Sequence, residues 1–355
     1  MKKVKVGIIG AGGIVQIGHI PSFQKLPDVE VVAISDPNEE KLKFVAEKFR
    51  IPRTFSDYKK MLEIKDIEII SICSPNFAHR EQAVNSLMSG KNVLCEKPVA
   101  MNSKEAEEIL NTAKRTKKKF MVAFPQRFTP SGIFLKKMID RGEFGEIYYA
   151  KASYLRRRGI PGLGGWFTTK KLSGGGPLID VGVHILDKVY WLMGAPEPVS
   201  VSGATFQKFK DKAVDGGWPP VETRVGDKYA RTFDVEDLSS GFIKFKNGAS
   251  LFLEASWAGN SEAGLSISLF GEKKGAKEDG SGLKIFDEED GVLLDNSPVL
   301  PGADVYFEEI KHFVSCVRED KEPVTKPDEI LNVIRIIESI YKSASTGREV
   351  RLEAR

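Results

Sequence analysis

The sequence predicts an α/β protein: a doubly wound parallel sheet followed by an α+β region whose sheet is open and mostly antiparallel. Three observations carry this. Up to residue 124, short apolar runs alternate with helical patterns, the rhythm of parallel strands joined by crossover helices. Beyond it, strand-like runs crowd together with few helices between them. The 355 residues suffice for two cores. Two domains are therefore expected, 1–124 and 125–355.

Lys3 to Ile9 (KVKVGII) is a short apolar run bounded by glycine, as expected of a strand buried on both faces. Gly10-Ala11-Gly12 follows, and Ile14, Ile17, Ile20 and Phe23 recur at the spacing of a helix. The next strand, Val29 to Ser35, ends on Asp36. Leu42, Val45, Ala46 and Phe49 then mark a helix, Glu68 to Cys73 a strand, and Glu81 to Met88 a helix. Asn92 to Cys95 reads as a strand, Ser103 as the cap of a helix through Ala113, and Phe120 to Phe124 as a last strand. In the second half a helix over 130–140 precedes runs at 147–154, 199–206, 238–245, 250–256 and 265–270. Lys246-Asn247-Gly248 is a hairpin turn. Two helices end the chain, one capped by Asp304, the other opened by Pro327 and followed by Gly347. Residues 207–232 are polar and Gly/Pro-bearing, and read as a long loop.

Composition narrows the function. A net charge of +4 is too small to argue for nucleic acid. Lys2, Lys3 and Lys5 imitate the start of a signal peptide, but the apolar run after them breaks into glycines. No stretch approaches the ~20 apolar residues of a membrane span. Cys73, Cys95 and Cys316 are scattered and odd in number, which fits a reducing, cytoplasmic setting better than a disulfide framework. The four histidines have no metal-site spacing.

Chemistry concentrates at strand ends, where open α/β sheets take ligands. Gly10, Gly12 and Gly13, with Ile14 behind them, let backbone come close to a pyrophosphate, and the helix start there offers unpaired N–H groups. Asp36 stands where a carboxylate can accept the ribose hydroxyls of an adenosine, which favours NAD over NADP because a 2′-phosphate would meet like charge. Val15 holds the place of the third glycine and implies a slightly wider helix–strand approach. Ser74-Pro75-Asn76 with His79 ends the next strand; it is either a cofactor contact or a simple turn with a helix cap. Glu96-Lys97-Pro98 points a cation into the crevice. Within Gly174-Gly175-Gly176-Pro177-Leu178-Ile179-Asp180-Val181-Gly182-Val183-His184, Asp180 and His184 lie one helical turn apart and suit proton transfer.

GIIGAGGI, SPNFAH, CEKP and GGGPLIDVGVH, in this order, resemble the glucose–fructose oxidoreductase, inositol dehydrogenase and rhizopine-catabolism (Gfo/Idh/MocA) family. The resemblance runs nearly the whole chain. It implies an N-terminal Rossmann domain, a C-terminal domain whose open sheet serves oligomer contacts, and bound NAD. It also implies that Lys97 is the family's EKP lysine, Asp180 its substrate-binding aspartate and His184 its catalytic histidine, with Asn76 on the cofactor side. The expected reaction is hydride transfer between a small polyhydroxylated substrate (a sugar, sugar derivative or cyclitol) and nicotinamide. His184 would be the general acid/base, because its pKa starts near neutral. Arg156 and Trp166 near the substrate mouth, and Arg127, are further substrate candidates. A dimer or tetramer is expected, with no membrane or nucleic-acid partner. Two other readings remain: an enzyme that retains NAD and oxidises its substrate transiently, and a non-catalytic nucleotide sensor.

Overall fold

Strands buried on both faces need apolar residues at every position, and that requirement builds the first sheet of the computed structural model. The structure describes residues 3–226 and 232–353. Strands β1 (Val4–Ile9), β2 (Val29–Ser35), β3 (Arg53–Phe55), β4 (Ile69–Ile72), β5 (Asn92–Glu96) and β6 (Phe120–Ala123) pair in the order β3-β2-β1-β4-β5-β6. Every pairing is parallel. The order reverses between β1 and β4, so a crevice opens at their carboxyl ends. β3 was not foreseen; at three residues, it is too short to carry a pattern.

Helix starts follow the expected chemistry with one correction. Asn102, not Ser103, caps the helix Ser103–Thr116, its side chain accepting from the Glu105 N–H. Asp304 caps Val305–Glu319 through the Phe307 N–H. The segment after the glycine loop is helical but opens as a wide π turn, Val15–His19, before Ile20–Lys25.

The second sheet has nine strands: β7 (Ile147–Leu155), β8 (Pro198–Phe206), β9 (Leu238–Phe245), β10 (Ser250–Ser256), β11 (Gly264–Gly271), β12 (Gly275–Asp279), β13 (Gly282–Glu289), β14 (Val292–Asn296) and β15 (Val350–Arg351). Their order is β14-β13-β12-β11-β7-β10-β9-β8-β15, antiparallel except for β10 beside β7. The β12–β14 meander escaped the sequence reading because β12 and β13 are rich in charge and β14 is largely exposed, so alternation is faint. Helix Pro327–Thr346 packs on β8 and β9, where a Cβ on Gly203 or Gly241 would stand 2.8 or 2.7 Å from Ile340. Ala150, Ala152, Ile243, Leu251 and Leu253 are buried on the helix-covered face. The opposite face carries Tyr149 against Phe270 and, in register across β9 and β10, Phe242 against Phe252. Phe242, Phe270 and Phe286 remain 36–40% exposed.

Candidate active site

The glycine loop follows β1 directly, and its geometry fits a nucleotide cradle. Gly10 has φ of 98°, and a Cβ there would lie 2.7 Å from the Cys73 carbonyl, so only glycine lets β1 turn against the end of β4. Nothing lies within 4 Å of a Cβ on Gly12, which leaves the loop backbone open to a ligand. Asp36 sits half-buried at the end of β2 and accepts from the Ala11 and Asn38 backbone N–H groups, both at 2.8 Å. Its carboxylate thus ties the loop to the end of the second strand.

The loop after residue 206, read only as polar, turns out to reach this cradle. A Cβ on Gly13 would stand 2.3 Å from Pro219, the Gln16 amide donates to the Thr223 carbonyl at 3.3 Å, and the Asn38 amide donates to Gly226 at 2.6 Å. Positions 227–231 of that loop lie outside the described residues.

Beside the cradle is a cavity of about 250 Å³ lined by residues from both sheets. Ser74, Asn76, Glu96 and Lys97 come from the ends of β4 and β5; Asp180 and His184 come from the helical segment behind the glycine run. That segment begins as a π turn, Leu178–Gly182, and continues as helix Val183–Leu192. Lys97 Nζ donates to the Asp180 carbonyl at 2.8 Å and to its Oδ1 at 2.9 Å. The other carboxylate oxygen accepts from the Trp257 indole N–H at 2.9 Å. Burial favours a neutral Asp180, but Lys97 and Arg156 outweigh it and hold the carboxyl below its ordinary value. His184 Nδ1 is buried without a hydrogen-bond partner. Burial, then the Lys97 charge, pushes the His184 pKa down to about 3, so its near-neutral starting point in the sequence reading does not hold.

Other candidates divide. Asn76 lines the cavity and donates to the Ser173 carbonyl at 2.7 Å; Ser74 lines it and donates to Gln82 at 2.6 Å. Arg156 and Trp166 also line it: Arg156 lies 5.5 Å from the Tyr154 ring centre, and Trp166 stacks on Phe167. Ile14 lines the cavity as well. His79 is not brought there. It is buried, and its ring nitrogens meet the carbonyls of Pro98 and Ser74 at 2.7 and 2.8 Å, so it braces two strand ends. Arg127 is likewise corrected: it is 2% exposed, with its guanidinium held by Asp187 and Glu329. Trp257, Tyr154 and Trp218 line the cavity and were missed. Trp257 follows β10 as Lys97 follows β5, so the strand-end rule could have found it. Trp218 sits in the long loop, where no local signal marks it.

Among the described residues, no helix is long and apolar enough to cross a membrane, and no group of three or more His, Cys, Asp or Glu is placed to hold a metal.

Residues 4–124 match the family described as oxidoreductase family, NAD-binding Rossmann fold, and residues 134–277 match the GFO/IDH/MocA C-terminal domain. The chain is 32% identical over 354 residues to a D-glucoside 3-dehydrogenase of Escherichia coli (strain K12), covering 98% of this chain and 97% of that protein. It is 28% identical to a levoglucosan dehydrogenase of Pseudarthrobacter phenanthrenivorans, over 72% of this chain and 68% of that one. The solved structure of levoglucosan dehydrogenase with NADH and L-sorbose has the same fold, with a TM-score of 0.86 at 22% identity, covering 99% of this chain and 100% of that one.

Proposed function

The chain belongs to the Gfo/Idh/MocA family of NAD-binding oxidoreductases, and on that premise we propose that it oxidises a secondary hydroxyl of a sugar or glucoside with NAD. One observation carries the reading. Lys97, Asp180 and His184 converge on a cavity beside the glycine loop, and a buried imidazole nitrogen there lacks a partner. A neutral imidazole on the cavity keeps one ring nitrogen able to accept from a substrate hydroxyl. In this reading residues 1–124 hold the cofactor through Gly10, Gly12, Gly13 and Asp36, and residues 125–355 supply substrate contacts and self-association.

When bound, the nicotinamide supplies the hydride acceptor. Asp180 holds Lys97 so that the ammonium donates to the reacting oxygen, and the neutral His184 imidazole accepts the hydroxyl hydrogen bond. His184 stays uncharged across the physiological range. It is a weak base, and that suffices: as hydride leaves the carbon, the hydroxyl becomes the O–H of a protonated carbonyl, a strong acid that yields its proton readily. The aromatic groups Tyr154, Trp166 and Trp257 suit the apolar faces of a pyranose. Name and extent of the glucoside dehydrogenase relative support a glucoside as the first substrate to try. The test is NADH absorbance with a panel of glucosides, free sugars and cyclitols. Turnover with glucosides supports the reading; no NADH with any member sinks it.

The contact of Pro219 with Gly13 favours a second reading, in which NAD stays bound and is reduced and reoxidised within one cycle. Protein that purifies with NAD and never forms NADH beyond one equivalent would select it. The apolar outer face of the second sheet supports a homodimer or tetramer, which sedimentation distinguishes from a 39.3 kDa monomer. The three free, buried cysteines fit a cytoplasmic setting.

A further inference from the structure

Under the cavity lies a buried ionisable cluster to which the proposed chemistry assigns no task. His19, on the π turn behind the glycine loop, is fully buried. Its Nε2 lies 2.9 Å from Glu96 Oε1, and its Nδ1 lies 2.8 Å from the Ser71 hydroxyl. Glu96 Oε2 accepts the backbone N–H of Lys97 at 3.1 Å, and Glu96 itself lines the cavity. Lys97 therefore has two carboxylates within its surroundings, Glu96 immediately before it and Asp180 across the cavity. Among the described residues, its ammonium pairs with Asp180 alone.

That choice needs a cause, because a buried carboxylate without a partner recruits the nearest cation. We propose that His19 is a positioning residue that engages the Glu96 carboxylate and so reserves the Lys97 ammonium for Asp180 and the reacting oxygen. The inference rests on the proposed oxidation and adds to it how its lysine is kept free. The groups around His19 agree with this. Ser71 and Cys73 face it from β4 and its end, and Glu96 from β5; Glu309, fully buried, comes from helix Val305–Glu319 together with Tyr306. Burial opposes a charge on His19, but Cys73 and Glu96 outweigh it and hold the imidazole well above its ordinary pKa. Burial also pushes Glu309 well above its ordinary value, which disfavours its charged form and so its competition for His19.

The experiment compares wild type, His19→Ala, His19→Gln, Glu96→Gln and the double variant His19→Ala/Glu96→Gln. It reads kcat against pH, NAD affinity, and the NMR resonance of the Trp257 indole N–H, assigned by its loss in Trp257→Phe. That N–H is bonded to Asp180, so it senses whether Lys97 still pairs there. His19→Ala should lose at least about tenfold in kcat at neutral pH and should shift the Trp257 resonance. The loss should shrink as pH falls, because protonating the released Glu96 frees Lys97. Against Glu96→Gln, removing His19 should cost less than about twofold more, with no pH dependence and no resonance shift. His19→Gln keeps an N–H donor for Glu96 and should stay within about threefold of wild type. Equal losses in both backgrounds at every pH, or an unmoved Trp257 resonance in His19→Ala, would overturn the proposal. So would a His19→Gln protein that loses tenfold or shifts the resonance, which decides the matter if His19→Ala does not fold. The resonance needs no turnover, so a wild type that oxidises no sugar would refute the proposed reaction while leaving this inference to its own test.

Discussion

Two buried ion-pair clusters lie along the stretch from Asp180 to Leu192, and they use the same chemistry for different ends. In one, Arg127 spends its guanidinium on Asp187, Glu329 and the Val324 carbonyl, and its side chain and that of Asp187 are 1% and 0% exposed. In the other, Lys97 and Asp180 pair at 2.9 Å with 14% and 10% of their side chains exposed, facing a cavity and next to an imidazole nitrogen without a partner. A buried ion pair marks a site of chemistry when it keeps unfilled hydrogen-bonding capacity on a cavity. A closed one holds the fold.

The largest effect should come from breaking the closed cluster. Arg127→Ala leaves Asp187 buried and uncompensated, and removing one partner of such a pair costs about 3–5 kcal/mol. Denaturant unfolding should lose that much, and a loss below 1 kcal/mol would dissolve the distinction. His184→Ala strikes the open cluster instead: kcat should fall by about a hundredfold with stability little changed, and part of the rate should return at alkaline pH, where hydroxide takes the proton. Asp36, at the adenosine end, should give NAD at least about a tenfold advantage over NADP in kcat/KM, ~1.4 kcal/mol. Equal use of both would remove Asp36 from that role. The smallest effect is a missing one. Because the His184 pKa is pushed down to about 3, the imidazole is already unprotonated well below neutrality. kcat/KM should therefore show no inflection from His184 near 6.5; a pH profile with such a step would mean that the imidazole titrates normally.

The same contrast explains what the sequence made legible. The strands of the first sheet are short apolar runs ended by glycine, proline or acid, so strand ends and the residues on them could be placed without coordinates. Lys97 and Asn76 were found that way, Asp180 and His184 by their one-turn spacing behind a glycine run, and the cavity brings all four together. Arg127 and His79 obeyed the same rule, since both follow strands, yet both are turned inward, His79 onto the nearby Ser74 and Pro98 carbonyls and Arg127 onto partners distant in sequence. Asp187 and Glu329 lie 60 and 202 residues from Arg127. No local pattern encodes such a pairing. His19 falls within the helical stretch behind the glycine loop but carried no signal of its own, and only the fold sets it against Glu96, 77 residues away. The loop carrying Trp218 and Pro219 is illegible for a related reason: its contacts to Gly13 and Asn38 join residues far apart in the chain, 188 positions in the case of Asn38 and Gly226.

Lys97 gives the most direct measurement. NADH formation with a D-glucoside, followed through a single turnover, is compared between wild type and Lys97→Ala, with NAD affinity measured by calorimetry on both. The account predicts an unchanged NAD affinity and a hydride-transfer rate lower by at least ten- to a hundredfold, the worth of a lost charged hydrogen bond at roughly 1.5–3 kcal/mol. A Lys97→Ala protein that forms NADH at the wild-type rate would contradict it, and the chemistry would have to be sought elsewhere in the crevice.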